Sequence, residues 1–215
     1  MDDRATILKY MDIIAPPDDV AKEFIEKFKR MAREVIGTSI EVPKDLSDVL
    51  GLEKLSIIDN KLYVTMSNGQ AYPLSTSPSS IRSVVPIILA LESEFRTVLI
   101  DGLEDHLHPK AQRVLTKMIV KVVKSGKSIV LSTNSDYVLS TINIMIGLYH
   151  KDRERGLDPK MVSAYLVKRS EDFPMTKLAI DELGIDDSEF SQILDEMLDE
   201  RNTIYAVSYT HLRAH

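Results

Sequence analysis

The chain has 215 residues, of which 44% are hydrophobic and 28% charged, the composition of an ordinary folded domain. This excludes low-complexity disorder and collagen, and the absence of cysteine excludes disulfide scaffolds, thiol catalysis and thiolate metal sites while fitting a reducing cytoplasm. With 27 basic and 33 acidic residues the net charge is −6, which argues against a protein that coats nucleic acid but leaves a local basic patch open. The most apolar stretch, residues 84–91, is too short to cross a membrane, so no membrane partner is expected.

The first third of the chain predicts a helix followed by a β-hairpin. Residues 20–36 place apolar side chains at steps of three and four, which is typical of an amphipathic helix, and a glycine ends it. Residues 55–65 then alternate around Asp59 and Asn60, as the two strands of a hairpin do. A second turn is expected at residues 67–69.

The rest of the chain alternates between helical and strand patterns. These patterns predict helices over residues 79–92, 109–124, 136–149 and 187–200, and strands over residues 95–100, 128–132 and 161–168. Such alternation indicates βαβ units and a parallel sheet covered by helices on both faces. The expected fold class is therefore α/β, a mostly parallel sheet with flanking helices, preceded by an α+β segment with a hairpin.

An acid follows the apolar strand pattern TVLI, at Asp101. Ligands of open parallel sheets bind beyond the carboxyl ends of the strands, so this position is a candidate site. A carboxylate delivered rigidly by a buried strand is the Walker B arrangement, which holds Mg²⁺ against nucleotide phosphates. The alternative is that Asp101 only stabilises a turn, as aspartates often do after strands.

Three motifs narrow this choice. The residues from 101 onward read DGLEDHLHPKAQR, residues 129–136 read IVLSTNSD, and residues 79–86 read SSIRSVVP. In this order and spacing they resemble the carboxyl-terminal half of an ABC-type, AAA-like P-loop ATPase of the OLD-related branch, akin to SMC heads. The resemblance covers roughly residues 70–205. It implies half of a P-loop NTPase fold and an ATP-binding ATPase domain in which two heads sandwich ATP and Mg²⁺.

The resemblance also assigns roles to individual residues. Asp101 corresponds to the Walker B acid and would hold Mg²⁺. Asn134 stands in the switch position near the γ-phosphate, and His106 lies in the segment that faces the partner head. The signature segment, which approaches the partner's nucleotide, corresponds to Ser79, Ser80 and Arg82.

The chain departs from the family pattern at several of these positions. Gly102 stands where the family has the second acid, which polarises the attacking water, and Asn134 replaces a histidine that reaches the γ-phosphate. Ser80 replaces the signature glycine. Glu104 has two interpretations: a substitute general base, or a loop residue that forms structural hydrogen bonds. We expect poor hydrolysis, and no ATPase activity from this chain alone.

The phosphate-binding Walker A loop is missing. The only Gly-Lys-Ser triplet is Gly126-Lys127-Ser128, and Lys121 stands where the motif requires its first glycine. A helix pattern precedes this triplet and a strand pattern follows it, the reverse of a P-loop, so we expect a turn that ends a helix. ATP and Mg²⁺ would therefore bind only with a Walker A half supplied. The expected partners are that amino-terminal half or a second head.

Other functions remain open from the sequence. His106 and His108 have the spacing of a metal pair, but no third ligand is evident nearby, and packing is the alternative. The two main hypotheses are a truncated or split ATPase and a degenerate, non-catalytic interaction or regulatory module. A receiver-like doubly wound domain unrelated to ATP is a third. Nucleic acid stays open for the full protein but is not supported by this chain.

The motifs also suggest boundaries. Residues 1–70 would form a helix and hairpin segment, with the end of an insertion between the ATPase halves as an alternative description, and residues 71–206 would form the carboxyl-terminal ATPase half. Residues 207–215 break the preceding pattern and are expected to be a tail foreign to the protein. The histidines of that tail, His211 and His215, are therefore given no functional role.

Overall fold

The computed structural model describes residues 19–37, 39–167 and 175–212. The chain divides into two compact units, residues 1–142 and 143–215, which are described separately. The elements of the first unit are α1 (Asp19–Ile36), β1 (Ser39–Glu41), α2 (Lys44–Leu50), β2 (Leu52–Ile58), β3 (Lys61–Met66), β4 (Ala71–Pro73), α3 (Ser79–Glu92), β5 (Thr97–Ile100), α4 (Pro109–Lys124) and β6 (Ser128–Leu131). Helix α5 (Asp136–Tyr149) begins in the first unit and ends in the second.

Four antiparallel strands form one sheet, in the order β1-β2-β3-β4. Asp59 and Asn60 have positive φ angles of 49° and 62°, and the residues on either side of them, Ile58 and Lys61, pair with each other. This is a two-residue hairpin turn of the type that matches strand twist, and Asp and Asn tolerate its left-handed backbone. The predicted hairpin is confirmed, and so is the helix before it.

Strands β5 and β6 form a separate two-stranded parallel sheet. On β5, the side chains of Val98 and Ile100 are buried on one face of this sheet. On the other face Leu99 is 78% exposed, and its cross-strand partner Val130 is 58% exposed. The expectation of a parallel sheet covered on both faces is therefore wrong for the described residues. Only one face of β5 and β6 packs against the core, and the largest described sheet is antiparallel.

One continuous core holds the first unit together. Fully buried side chains come from the antiparallel sheet, from α3 and from α4, and include Leu55, Ile88 and Leu115. The loop after β5 is fixed to this core by Leu103, which is 1% exposed, and by Leu107, which is 7% exposed. The polar residues of that loop consequently project from a rigid base.

The second unit contains the end of α5, then β7 (Tyr165–Val167), β8 (Met175–Lys177) and α6 (Ser188–Leu212). The predicted strand over residues 161–168 does not extend the parallel sheet, because the strand that forms within it, β7, pairs antiparallel with β8. Lys168 lies outside the described residues. Helix α6 continues beyond the predicted acidic helix as far as Leu212 and so enters the tail segment.

None of the described helices combines the length and the hydrophobicity needed to span a bilayer.

Candidate functional site

Asp101 lies at the carboxyl end of β5 and is exposed, directly after the buried Ile100. Ser132 follows β6 at the adjacent position, where its backbone N–H donates to the Ile100 carbonyl oxygen at 2.9 Å. The Ser132 hydroxyl donates to Oδ1 of Asp101 and accepts from the backbone N–H of Gly102 at 3.1 Å. Parallel pairing thus brings a carboxylate and a hydroxyl together at the sheet edge where ligands of such sheets bind. Sequence reasoning missed Ser132, although its place directly after a strand was a usable signal.

Glu104 connects the loop after β5 to the loop after β6. Its Oε2 accepts a hydrogen bond from the Thr133 hydroxyl at 2.7 Å, and its Oε1 accepts one from the backbone N–H of Asn134, also at 2.7 Å. Charge-assisted hydrogen bonds of this length are stronger than those between neutral groups. Of the two interpretations of Glu104, the structure shows the hydrogen-bonded loop residue, and a role as general base stays a prediction.

Gly102, which the sequence resemblance aligns with the second acid, has a left-handed conformation with a φ of 60°. A β-carbon added there would lie 2.7 Å from both carboxylate oxygens of Asp105. The backbone N–H of Asp105 donates to the Gly102 carbonyl oxygen at 3.1 Å, which closes the turn. The space in which a side chain at position 102 would begin is therefore occupied by the Asp105 carboxylate.

Asn134 is exposed, and its backbone is held by Glu104. The next residue, Ser135, is buried; its hydroxyl donates to Oε1 of Gln112, whose Nε2 donates to the Leu107 carbonyl oxygen at 2.8 Å. The Ser135 Oγ also accepts the backbone N–H of Tyr137 at 3.2 Å at the start of α5. These buried hydrogen bonds fix the switch-like segment against the first turn of α4. The sequence had not indicated Gln112 or Ser135 as candidate site residues.

The signature-like residues lie on a different element. Ser79 and Ser80 form the first turn of α3, with Ser79 exposed and Ser80 half-buried, and the half-buried Arg82 follows. Within the described part of the chain, no hydrogen bond joins either serine to Asp101, Glu104 or Asn134. The structure therefore assembles the Walker B-like and switch-like residues with one another but not with the two serines of the signature-like segment.

The two histidines after Asp101 have separate environments. His108 precedes α4 and its Nδ1 accepts the backbone N–H of Lys110 at 3.2 Å, which makes it the N-cap of that helix, with Pro109 in the first position. His106 is exposed and has a φ of 60°. Across the described ranges, no group of three or more His, Cys, Asp or Glu side chains could hold a metal ion. The histidine pair thus has no structural support as a zinc site.

Lys127, the lysine of the only Gly-Lys-Ser triplet, is engaged elsewhere. Its Nζ donates to the backbone carbonyl oxygens of Ser93 and, at 3.5 Å, of Ala90, at the end of α3. Burial lowers the pKa of Lys127, and the nearby Glu92 carboxylate opposes that shift. The triplet follows the C-cap of α4 at Ser125, so the predicted helix-ending turn is confirmed and this segment is not a phosphate-binding loop.

No family model matches the sequence, and no curated protein matches it. Solved structures do match. One comes from work on the ATP-driven dimerisation and DNA-stimulated activation of SMC ATPases; it is 10% identical with a TM-score of 0.50, and the match covers 82% of this chain and 96% of that one. The chain is similar in fold to SMC ATPase heads.

A second match is an Smc head bound to the C-winged helix domain of ScpA. It is also 10% identical with a TM-score of 0.50, and the match covers 84% of this chain but only 54% of the Smc head chain. At this identity the likeness shows the fold alone, that of an SMC head. The SMC-head part of the sequence resemblance is thereby confirmed for the fold, while kinship with the OLD branch stays a prediction.

Proposed function

We propose that this chain contributes the Walker B and switch half of an ATP-binding site in an SMC-like head. The observation that carries the proposal is the position of Asp101. Its carboxylate is exposed and directly follows the buried Ile100 at the carboxyl end of β5. The Ser132 hydroxyl, at the end of the adjacent parallel strand, orients that carboxylate. The head-like fold supports it. A structural turn alone does not require a second strand to orient its carboxylate.

Asp101 is the residue that would hold Mg²⁺, because its carboxylate is exposed and oxygen is the ligand that this cation prefers. Magnesium would neutralise charge on the nucleotide phosphates. Asn134 follows β6, the strand that pairs with β5. Its side-chain amide would face the nucleotide, where it could donate and accept hydrogen bonds but could not act as a general acid or base. Ser79, Ser80 and Arg82 are proposed to face the nucleotide of a second head, and His106 to lie at that interface.

The exposed face of β5 and β6 suggests that a further polypeptide segment covers it in the complete head. Parallel strands are normally buried on both faces, yet Leu99 and Val130 lie side by side and exposed. We propose that the segment carrying the phosphate-binding loop covers this pair. Lys127 cannot take the place of that segment, since its ammonium group already caps α3.

A second candidate function is a head that binds nucleotide or partners without hydrolysis. It is favoured by the turn at Gly102, which offers no side chain to orient water and whose outer space is filled by Asp105. It is favoured also by Asn134, because a proton-carrying histidine is absent from the switch position.

Two observations test the proposal. The purified chain should release no phosphate from Mg²⁺-ATP. ATP hydrolysis by the chain alone that disappears in Asp101→Ala would overturn the proposal that the phosphate-binding half of the site lies outside this chain. The reading frame upstream of Met1 is the second. A Gly-rich loop ending in Gly-Lys-Ser or Gly-Lys-Thr there would support a truncated ATPase, whereas a stop codon with no such loop nearby would favour the stand-alone module.

A further inference from the structure

A shallow groove in the first unit lies between the last turns of α1 and the β2–β3 hairpin. We propose that this groove, called here the basic groove, docks an acidic amphipathic segment of another polypeptide. Its cationic residues are Lys29, Arg33 and Lys61, and its apolar walls include Phe28, Ile57 and Leu62. It belongs to different elements from Asp101, so the inference does not rest on the proposed ATP site.

The charge of the groove opposes that of the chain. Three of the described residues lining it are cationic and none is acidic, although the whole chain carries a net charge of −6. Arg33 is held across the groove by a hydrogen bond from its Nη2 to Oδ1 of Asn60 at 3.4 Å. Lys29 pairs with the exposed Glu26 at 3.2 Å, a contact within α1 that contributes little in water. A local field of one sign steers and orients a partner of the opposite sign.

The walls of the groove supply apolar contact. Phe28, Ile57 and Leu62 are half-buried, above the buried Ala32 and Leu74. A small molecule needs a cavity that encloses most of its surface, which this open groove does not provide. An amphipathic segment instead lays a row of apolar side chains along such a groove and keeps its charged side chains at the rim.

The groove is also preformed. The tight turn at Asp59 and Asn60 fixes the hairpin end, and Ala32 packs α1 into the common core. A rigid surface loses little conformational freedom on binding, so even a small contact area can give measurable affinity. Nucleic acid is a weaker occupant, because apolar walls contribute nothing to phosphate contacts and Phe28 is the only aromatic residue among the described residues that line the groove.

The test is a titration of the full chain with a fluorescein-labelled helical peptide that has leucines on one face and glutamates on the other, followed by anisotropy. We expect saturable binding that weakens by about tenfold or more in the double variant Arg33→Glu, Lys61→Glu. The matched control is Lys117→Glu, an exposed lysine on α4, which should leave the affinity unchanged. A peptide with serines in place of the leucines should bind much more weakly.

Both groove substitutions are on exposed residues, and far-UV circular dichroism should show an unchanged fold. Absence of saturable binding, an equal loss in Lys117→Glu, or equal binding of the serine peptide would each overturn the proposal. Tighter binding of a labelled oligothymidine than of the acidic peptide would also overturn it, in favour of a nucleic-acid surface.

Discussion

The side-chain hydroxyl of Ser132 donates a hydrogen bond to the carboxylate of Asp101, joining the ends of two neighbouring parallel strands. Asp101 is exposed, and Ser132 keeps a second partner in the Gly102 backbone N–H, so the folded state has little need of the carboxylate. We infer that Asp101 can act in ligand binding because the stability of the fold does not depend on its carboxylate. This distinguishes it from the buried leucines of the same loop.

We therefore expect Asp101→Ala to change the free energy of unfolding by no more than about 0.5 kcal/mol, the range of surface substitutions. Leu103→Ala in the same loop is the control; the leucine is 1% exposed and its truncation should cost about 2–5 kcal/mol. Urea unfolding followed by circular dichroism measures both. A loss near that of Leu103→Ala would identify Asp101 as a structural turn residue.

Glu104 should behave in the opposite way. Glu104→Ala removes the acceptor for Thr133 and for the Asn134 backbone N–H, and we expect a loss of about 1–3 kcal/mol of stability. Glu104→Gln retains one acceptor oxygen and should lose less. Hydrogen exchange at the Asn134 amide gives a local measurement, since exchange should accelerate in the alanine variant. Unchanged exchange and stability would show that the bridge between the loops is not significant in solution.

Placing an acid at position 102 should lower the stability of the chain. Gly102→Glu forces a side chain into a left-handed backbone and against the Asp105 carboxylate, and we expect a loss of about 1–3 kcal/mol in thermal or urea unfolding. The double variant Gly102→Glu, Asp105→Gly should recover part of that loss, because it removes the clash and the like charge. If Gly102→Glu is as stable as the unsubstituted chain, the turn rearranges easily. A gain in hydrolysis from Glu at 102 can be judged only once the variant is known to fold.

Sequence patterns anticipated the local elements well. The helices over residues 79–92, 109–124 and 136–149 match α3, α4 and α5, and the hairpin at Asp59 and Asn60 is present, because periodicity and turn chemistry are encoded by near neighbours. The three-residue strands β1 and β4 were not anticipated, since their pairing depends on the neighbouring strands.

The candidate site was anticipated in its residues but not in its contacts. The strand-ending position of Asp101 could be read from the sequence, whereas the bonds from Ser132 and to Glu104 cross about thirty residues of chain and depend on parallel register. The same limit explains β7, whose pattern suited a parallel strand although it pairs with β8.

The exposed pair on the parallel sheet gives another prediction. Leu99→Glu and Val130→Glu should each leave the stability of the isolated chain nearly unchanged, because both side chains already face solvent, and each should reduce any self-association that this exposed pair causes. Val98→Glu, on the buried face of the same strand, should unfold the first unit. Light scattering and urea unfolding distinguish the two faces. Strong destabilisation by Leu99→Glu would mean that the face is covered within the chain itself.

Acid should weaken the second unit through Asp158. The backbone N–H of Lys160 and then the Tyr149 hydroxyl donate to this carboxylate and hold its pKa below the usual value. A lowered folded pKa contributes stability above the unfolded pKa of about 3.9, and that stability is lost as the pH falls through the folded value. The gap in urea midpoint between the unsubstituted chain and Asp158→Asn should therefore be largest near neutral pH and shrink in acid. A gap that grows on acidification would contradict this.

Nucleotide binding by the completed head tests the central claim most directly. A fluorescent ATP analogue with Mg²⁺ should be titrated against the chain alone and against the chain joined to the segment that carries the phosphate-binding loop. We expect binding only in the completed protein, weakened when Asp101→Ala removes the proposed magnesium ligand. Tight binding by the chain alone, or binding by the completed protein that Asp101→Ala leaves unchanged, would contradict the claim that this chain supplies the Walker B half of a shared site.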